Sequence, residues 1–121
     1  MLNPVVHFNN ILIVSEGKML IEGINSLLLE DSGIVHIYDV SNYKEALKII
    51  REEVIHIVIV DVNLSDMQGM DLIDVIRAEH PGIKIIVLAW YEKMKIIKEM
   101  MKTKADGYLL KNTVMFELAK E

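Results

Sequence analysis

The sequence predicts an α/β fold, a doubly wound five-stranded parallel sheet with helices on both faces. Three observations carry that expectation. Short apolar runs without polar alternation occur at "ILIV" (11–14), "IVIV" (57–60) and "IIVL" (85–88), the pattern of strands buried on both faces. Segments with an apolar period of 3.6 residues separate them. The regular strand–helix alternation, five times over, calls for parallel neighbours joined by right-handed crossovers.

The elements follow in order. The first strand, 11–14, stops at Ser15-Glu16-Gly17, and a helix over 18–31 places Leu20, Ile24, Leu27 and Leu28 on one face. "IVHIYDV" at 34–40 sets Val35, Ile37 and Asp39 against His36, Tyr38 and Val40; such alternation suits an edge strand. The helix over 42–53 turns Ala46, Leu47 and Ile50 inward. Ser41 or Asn42 caps it, since either side chain can accept from the unpaired first-turn N–H groups. After the 57–60 strand, Leu72, Ile73 and Ile76 mark a helix over 67–79, which Pro81-Gly82 ends. After the 85–88 strand, Ile96, Ile97, Met100 and Met101 mark a helix over 92–104. "DGYLLK" at 106–111 reads as the fifth strand, and the last helix, 113–121, carries Phe116 and Leu118 and reads as cut short.

Composition narrows the function. With 121 residues, 52% of them apolar, the chain suits one domain with a full core. A net charge of −5 argues against gripping nucleic acid, whose affinity comes largely from phosphate neutralisation. The lack of cysteine excludes disulfides and thiolate-bound zinc. No apolar run approaches the ~20 residues of a membrane span, and "MLNPVVHFNN" lacks the features of a signal peptide. The expectation is a soluble, cytoplasmic chain with a leader at 1–9 and one domain at 10–121. His7, His36, His56 and His80 share no ligand-like spacing, and Met67 and Met70 are assigned to packing. Neither G-x-G-x-x-G nor a P-loop occurs, which disfavours a nucleotide-binding enzyme.

In doubly wound sheets the site lies beyond the carboxyl ends of the strands. That rule collects Ser15 and Glu16, Asp61, Ala89 and Trp90, and Lys111. Asp61 and Glu16 form a carboxylate pair that Lys111 can reach. With a backbone carbonyl at Asn63 they make a hard oxygen site suited to Mg²⁺. A carboxylate attacks phosphorus only where repulsion between anions is offset, and a metal and a lysine do that. The same residues admit a structural reading, in which Asp61 caps the following turn and Lys111 pairs with it for stability. The residues alone leave both open.

The chain resembles CheY-like response-regulator receiver domains over nearly its whole length. "ILIVSEG", "IVIVDVNLSDMQGMDL", "EHPGIKIIVLA" and "KADGYLLK" carry the match, and "GYLLK" is similar to the subfamily with a LuxR/NarL-type helix-turn-helix output. The resemblance implies a flavodoxin/CheY-like sheet of order 2-1-3-4-5. It makes Asp61 the phosphoacceptor and Lys111 the phosphate-side lysine. It gives Mg²⁺ to Glu16, Asp61, the Asn63 carbonyl and, weakly, Ser15. It puts Ala89, Trp90 and Tyr108 at the switch positions. It implies a sensor histidine kinase as donor, a DNA-binding output domain C-terminal to this chain, and scope for a homodimer. It implies neither membrane nor direct nucleic-acid contact, and a signalling acceptor rather than a turnover enzyme.

The departures are specific. Ser15 stands where the first metal-binding acid is usual, which weakens Mg²⁺ binding, and Glu16 is one methylene longer than the usual Asp. Ala89 replaces a hydroxyl, Trp90 a small residue and Ser65 a proline. The alternative they raise is a pseudo-receiver, a phosphorylation-independent dimerisation or docking module. Lys95, Lys98 and Lys102 share a helix face, read as solvated or as an output surface for an acidic partner.

Overall fold

A computed structural model describes residues 9–30, 33–62, 69–102 and 104–119. The order is β1 (Asn9–Val14), α1 (Lys18–Leu28), β2 (Ile34–Val40), α2 (Tyr43–Glu52), β3 (Ile57–Asp61), α3 (Gly69–Glu79), β4 (Lys84–Ala89), α4 (Tyr91–Met100), β5 (Gly107–Leu110) and α5 (Lys111–Ala119). The strands form one parallel sheet in the order β2-β1-β3-β4-β5. The three uninterrupted apolar runs occupy its centre, and the alternating strand β2 lies at an edge as expected.

The sheet is covered on both faces. Leu12, Val14, Val58, Val60, Ile85 and Val87 meet α2, α3 and α4 through Leu47, Ile50, Leu72, Ile76, Ile97 and Met101. On the other face Ile11, Ile13, Ile59 and Leu88 meet Leu20 and Ile24 of α1 and Val114 of α5. Asn42 caps α2, its side-chain oxygen accepting the Glu45 N–H at 2.9 Å.

Several expectations need correction. Met100 and Ile96 are 51% and 63% exposed, whereas Met94, Ile97 and Met101 are buried. Apolar residues at 94, 96, 97, 100 and 101 fall on one arc of the helix, of which 96 and 100 form one flank and 94, 97 and 101 the other, so periodicity alone does not say which flank of α4 is buried. Packing on the sheet selects the 94–97–101 stripe, which follows the i, i+3, i+7 rule. In α5 the inward residue is Val114, and Phe116 is 61% exposed. Leu27 of α1 is exposed too. The fifth strand stops at Leu110, so Lys111 is the first residue of α5 rather than a strand end. Asn63, Ser65, Met67 and the side chain of Met70 lie outside the described residues.

Gly23 sits buried in the middle of α1, where glycine costs roughly 0.5–1 kcal/mol relative to alanine. A Cβ there would lie 2.8 Å from Val114 Cγ1, so α1 and α5 approach at backbone distance. Val114 is β-branched and stiff at χ1 and cannot yield cheaply. Overpacking of this kind costs about 1–3 kcal/mol, more than the propensity gained. Gly23→Ala is therefore expected to lower the urea midpoint. Adding Val114→Ala should make the double variant more stable than the sum of the single effects predicts. Strict additivity would show that the two helices do not touch at this point.

At the amino-terminal edge of the sheet, away from the strand ends that carry Asp61, Arg77 of α3 ties three segments together. Its Nε donates to the Lys104 carbonyl at 2.6 Å and its Nη1 to the Ile83 carbonyl at 3.0 Å. Its Nη2 pairs with the Asp106 carboxylate, which also accepts the Ile85 N–H at 2.8 Å. Burial pushes the Asp106 carboxyl up, but the Ile85 N–H and the Arg77 guanidinium outweigh it and hold the group below the ordinary carboxylate range.

Candidate functional site

Strand register assembles the site. β1 pairs with β3 so that Val14 faces Val60, and the residues that follow, Ser15 and Asp61, emerge side by side. β4 pairs with β5 so that Ala89 faces Leu110, which brings Trp90 beside Lys111. Asp61 is 6% exposed and Lys111 4%. Lys111 Nζ lies 2.8 Å from Asp61 Oδ1. Asp61 Oδ2 accepts the Ser15 hydroxyl at 3.0 Å, and Ser15 Oγ in turn accepts the Gly17 N–H at 3.1 Å. The backbone donor leaves the serine hydrogen directed at the carboxylate. A neutral hydroxyl therefore stands against one carboxylate oxygen and an ammonium against the other.

Trp90 closes the lysine side. Lys111 Nζ sits 5.6 Å from the centre of its ring, within the range of a cation–π contact. Trp90 immediately precedes α4 and is half-buried, and its ring bounds Lys111, which is itself buried. Ala89 is buried in the core cluster and has no hydroxyl to offer. Tyr108 is half-buried on β5. Its hydroxyl donates to the Met101 carbonyl at 3.4 Å, the long end of the range, and Lys98 Nζ lies 5.5 Å from its ring. A groove of about 560 Å³ separates α4 from β5, bordered by Tyr91, Met94, Lys95, Lys98, Tyr108 and Leu110.

Ser15, Asp61, Trp90 and Lys111 thus come together, with Ala89 directly behind them. Glu16 is exposed on the turn after Ser15. Among the described residues no three His, Cys, Asp or Glu side chains gather as a metal-holding cluster. Among the described residues the carboxylate of Asp61 stands at this edge and that of Glu16 on the turn after Ser15, a sparse donor set but one that suits Mg²⁺, which keeps several of its waters. The sequence reading passed over Asn112, whose Oδ1 accepts the Tyr91 N–H at 2.8 Å. No sequence pattern marks it, because the bond joins two helices that meet only through strand register.

The arrangement holds a buried carboxylate against an ammonium at the carboxyl edge of a doubly wound sheet, the position at which such folds place their chemistry. The family described as "Response regulator receiver domain" matches residues 11–121. The chain belongs to that family. Among curated proteins, the receiver domain is 27% identical over 103 residues to a nitrate/nitrite response regulator protein homolog of Haemophilus influenzae, covering 85% of this chain and 50% of the relative. It is 32% identical over 102 residues to the transcriptional regulatory protein YesN of Bacillus subtilis, covering 84% of this chain and 28% of the relative. The receiver domain therefore spans half the length of these relatives or less. Among solved structures, the non-phosphorylated receiver domain of the stress response regulator RcsB from Escherichia coli superposes with a TM-score of 0.80 at 20% identity, covering 94% of this chain and 89% of that one. The receiver domain of Salmonella enterica RcsB in the presence of a phosphomimetic gives 0.79 at 19% identity, covering 88% and 79%. Similarity at that identity establishes the doubly wound fold. Among the described residues no helix is long and apolar enough to cross a membrane.

Proposed function

We propose that this receiver domain accepts a phosphoryl group on Asp61 from the phosphohistidine of a sensor histidine kinase and acts as a signalling component rather than a turnover enzyme. The observation that carries the reading is the buried Asp61–Lys111 pair at 2.8 Å. In the transfer, an Asp61 oxygen forms a bond to phosphorus and the histidine nitrogen–phosphorus bond breaks, its electron pair returning to the imidazole. Charge neutralisation and positioning dominate such reactions. The Lys111 ammonium supplies the first, and the Ser15 hydroxyl helps orient the carboxylate. Asp61, Glu16, the Asn63 backbone carbonyl and, weakly, Ser15 would hold Mg²⁺, which when bound adds positive charge opposite the incoming phosphoryl oxygens.

The curated relatives named as transcriptional regulators support a DNA-binding output domain as the element that reads the signal, in a cytoplasmic protein. Dimerisation of the receiver is a compatible means of doing so. The deciding measurement is intact mass after incubation with acetyl phosphate and Mg²⁺. Wild type should gain one phosphoryl group and Asp61→Asn none. A wild-type mass that stays unchanged, or a variant that gains the same mass, overturns the proposal.

A further inference from the structure

Helix α4 begins at Tyr91, and the residue before it, Trp90, makes no side-chain capping bond. A helix start leaves its first N–H groups without partners inside the helix. Here one of them is satisfied from another element, since Asn112 Oδ1 accepts the Tyr91 N–H at 2.8 Å. Asn112 is the second residue of α5 and the direct neighbour of Lys111. The two adjacent residues face different partners. Lys111 holds the buried Asp61 carboxylate, and Asn112 holds the first turn of α4. A second contact runs in parallel, the Lys111 ammonium against the Trp90 ring. The paired register of Ala89 with Leu110 keeps both contacts adjacent.

We infer that Asn112 is a positioning residue that carries the charge state of Asp61 to α4, through its cap on that helix in trans and its place beside Lys111. A buried ammonium whose carboxylate partner changes must move or be re-paired, since leaving it alone in the interior is costly. Lys111 opens α5, so its displacement shifts the first turn of that helix and draws Asn112 off the Tyr91 N–H. The start of α4 then loosens. This route needs no hydroxyl at position 89, where the chain has only a buried methyl group. As regulation it rests on Asp61 being the acceptor, but the coupling can be read without phosphorylation.

The test is amide hydrogen exchange over residues 91–94 in four proteins: wild type, Asp61→Asn, Asn112→Ala and the double variant. Asp61→Asn alone should speed exchange there roughly fivefold, the size set by the loss of one helix cap. Asn112→Ala should show that faster exchange already, with no further change on adding Asp61→Asn. Asn112→Asp, which keeps an acceptor oxygen, should exchange like wild type. An equal effect of Asp61→Asn in both backgrounds, or an effect in neither, overturns the inference. Acetyl phosphate labelling of wild type is scored separately. Its failure would remove Asp61 as acceptor, while the exchange comparison still decides whether Asn112 couples the pocket to α4.

Discussion

Lys111→Met is expected to lower the free energy of unfolding at neutral pH by about 3 kcal/mol, the lower end of the cost of breaking a buried ion pair by removing one partner. The reason lies in Asp61. Its carboxylate is buried, and Oδ1 rests on the Lys111 ammonium. Methionine fills much the same volume and offers no charge, so the carboxylate keeps the Ser15 hydroxyl at Oδ2 and loses its counterion. The lower end applies because Asp61 keeps a hydrogen-bond donor, the Ser15 hydroxyl, when the ammonium is removed. Adding Asp61→Asn should recover most of the loss, because a neutral pair often replaces a buried ion pair at little cost. Urea unfolding of the four members of this cycle measures the coupling. A Lys111→Met protein within about 0.5 kcal/mol of wild type, the usual range of a surface substitution, would mean that the pair adds nothing to folding.

Arg77→Ala should destabilise the domain by a comparable amount, about 3 kcal/mol, from two carbonyl hydrogen bonds and a partly buried ion pair lost together. The carbonyls of Ile83 and Lys104 lose their guanidinium donor, and Asp106 keeps only the Ile85 N–H among the bonds described above. The effect depends on pH. The Asp106 carboxyl is held below its ordinary value of 3.8 in the folded protein. A depressed carboxyl contributes stability that is present above its unfolded value and is lost as pH falls through the folded one. The deficit of Arg77→Ala should therefore be largest at neutral pH and shrink as pH falls below 3.8 and through the depressed folded value, beyond which Asp106 is neutral in both proteins. A deficit that stays constant through that range would assign the whole effect to the two carbonyl bonds.

The central strands were legible because each is buried on both faces, and a run such as "IVIV" has no other comfortable environment. The edge position of β2 was legible from its alternation for the complementary reason. The position of Asp61 at a strand end followed from the apolar run before it, and that of Lys111 from the expected end of the fifth strand, which lies one residue beyond the observed end at Leu110. The orientation of α4 was not legible. Its apolar residues lie on one arc, and only docking against β4 and its neighbours separates the buried flank with Met94 and Met101 from the exposed flank with Ile96 and Met100. For α5, Phe116 is the larger apolar residue, but Val114 faces inward because the close approach of Gly23 fixes which side of the helix meets α1.

The amino-acid sequence alone determined the strand–helix alternation, the two-sided core and the collection of Ser15, Glu16, Asp61, Trp90 and Lys111 at one edge, because each depends on the polarity of short contiguous segments. The partners within that edge came from three-dimensional register. Ser15 and Asp61 stand 46 residues apart in the chain, and their bond exists because β1 and β3 pair with Val14 opposite Val60. The same holds for Trp90 over Lys111, for Asn112 on the first turn of α4, and for Arg77 on Asp106. Each contact joins segments far apart in the chain, whose local patterns do not name their partners. Only the simultaneous packing of five strands and five helices selects the register in which these side chains meet.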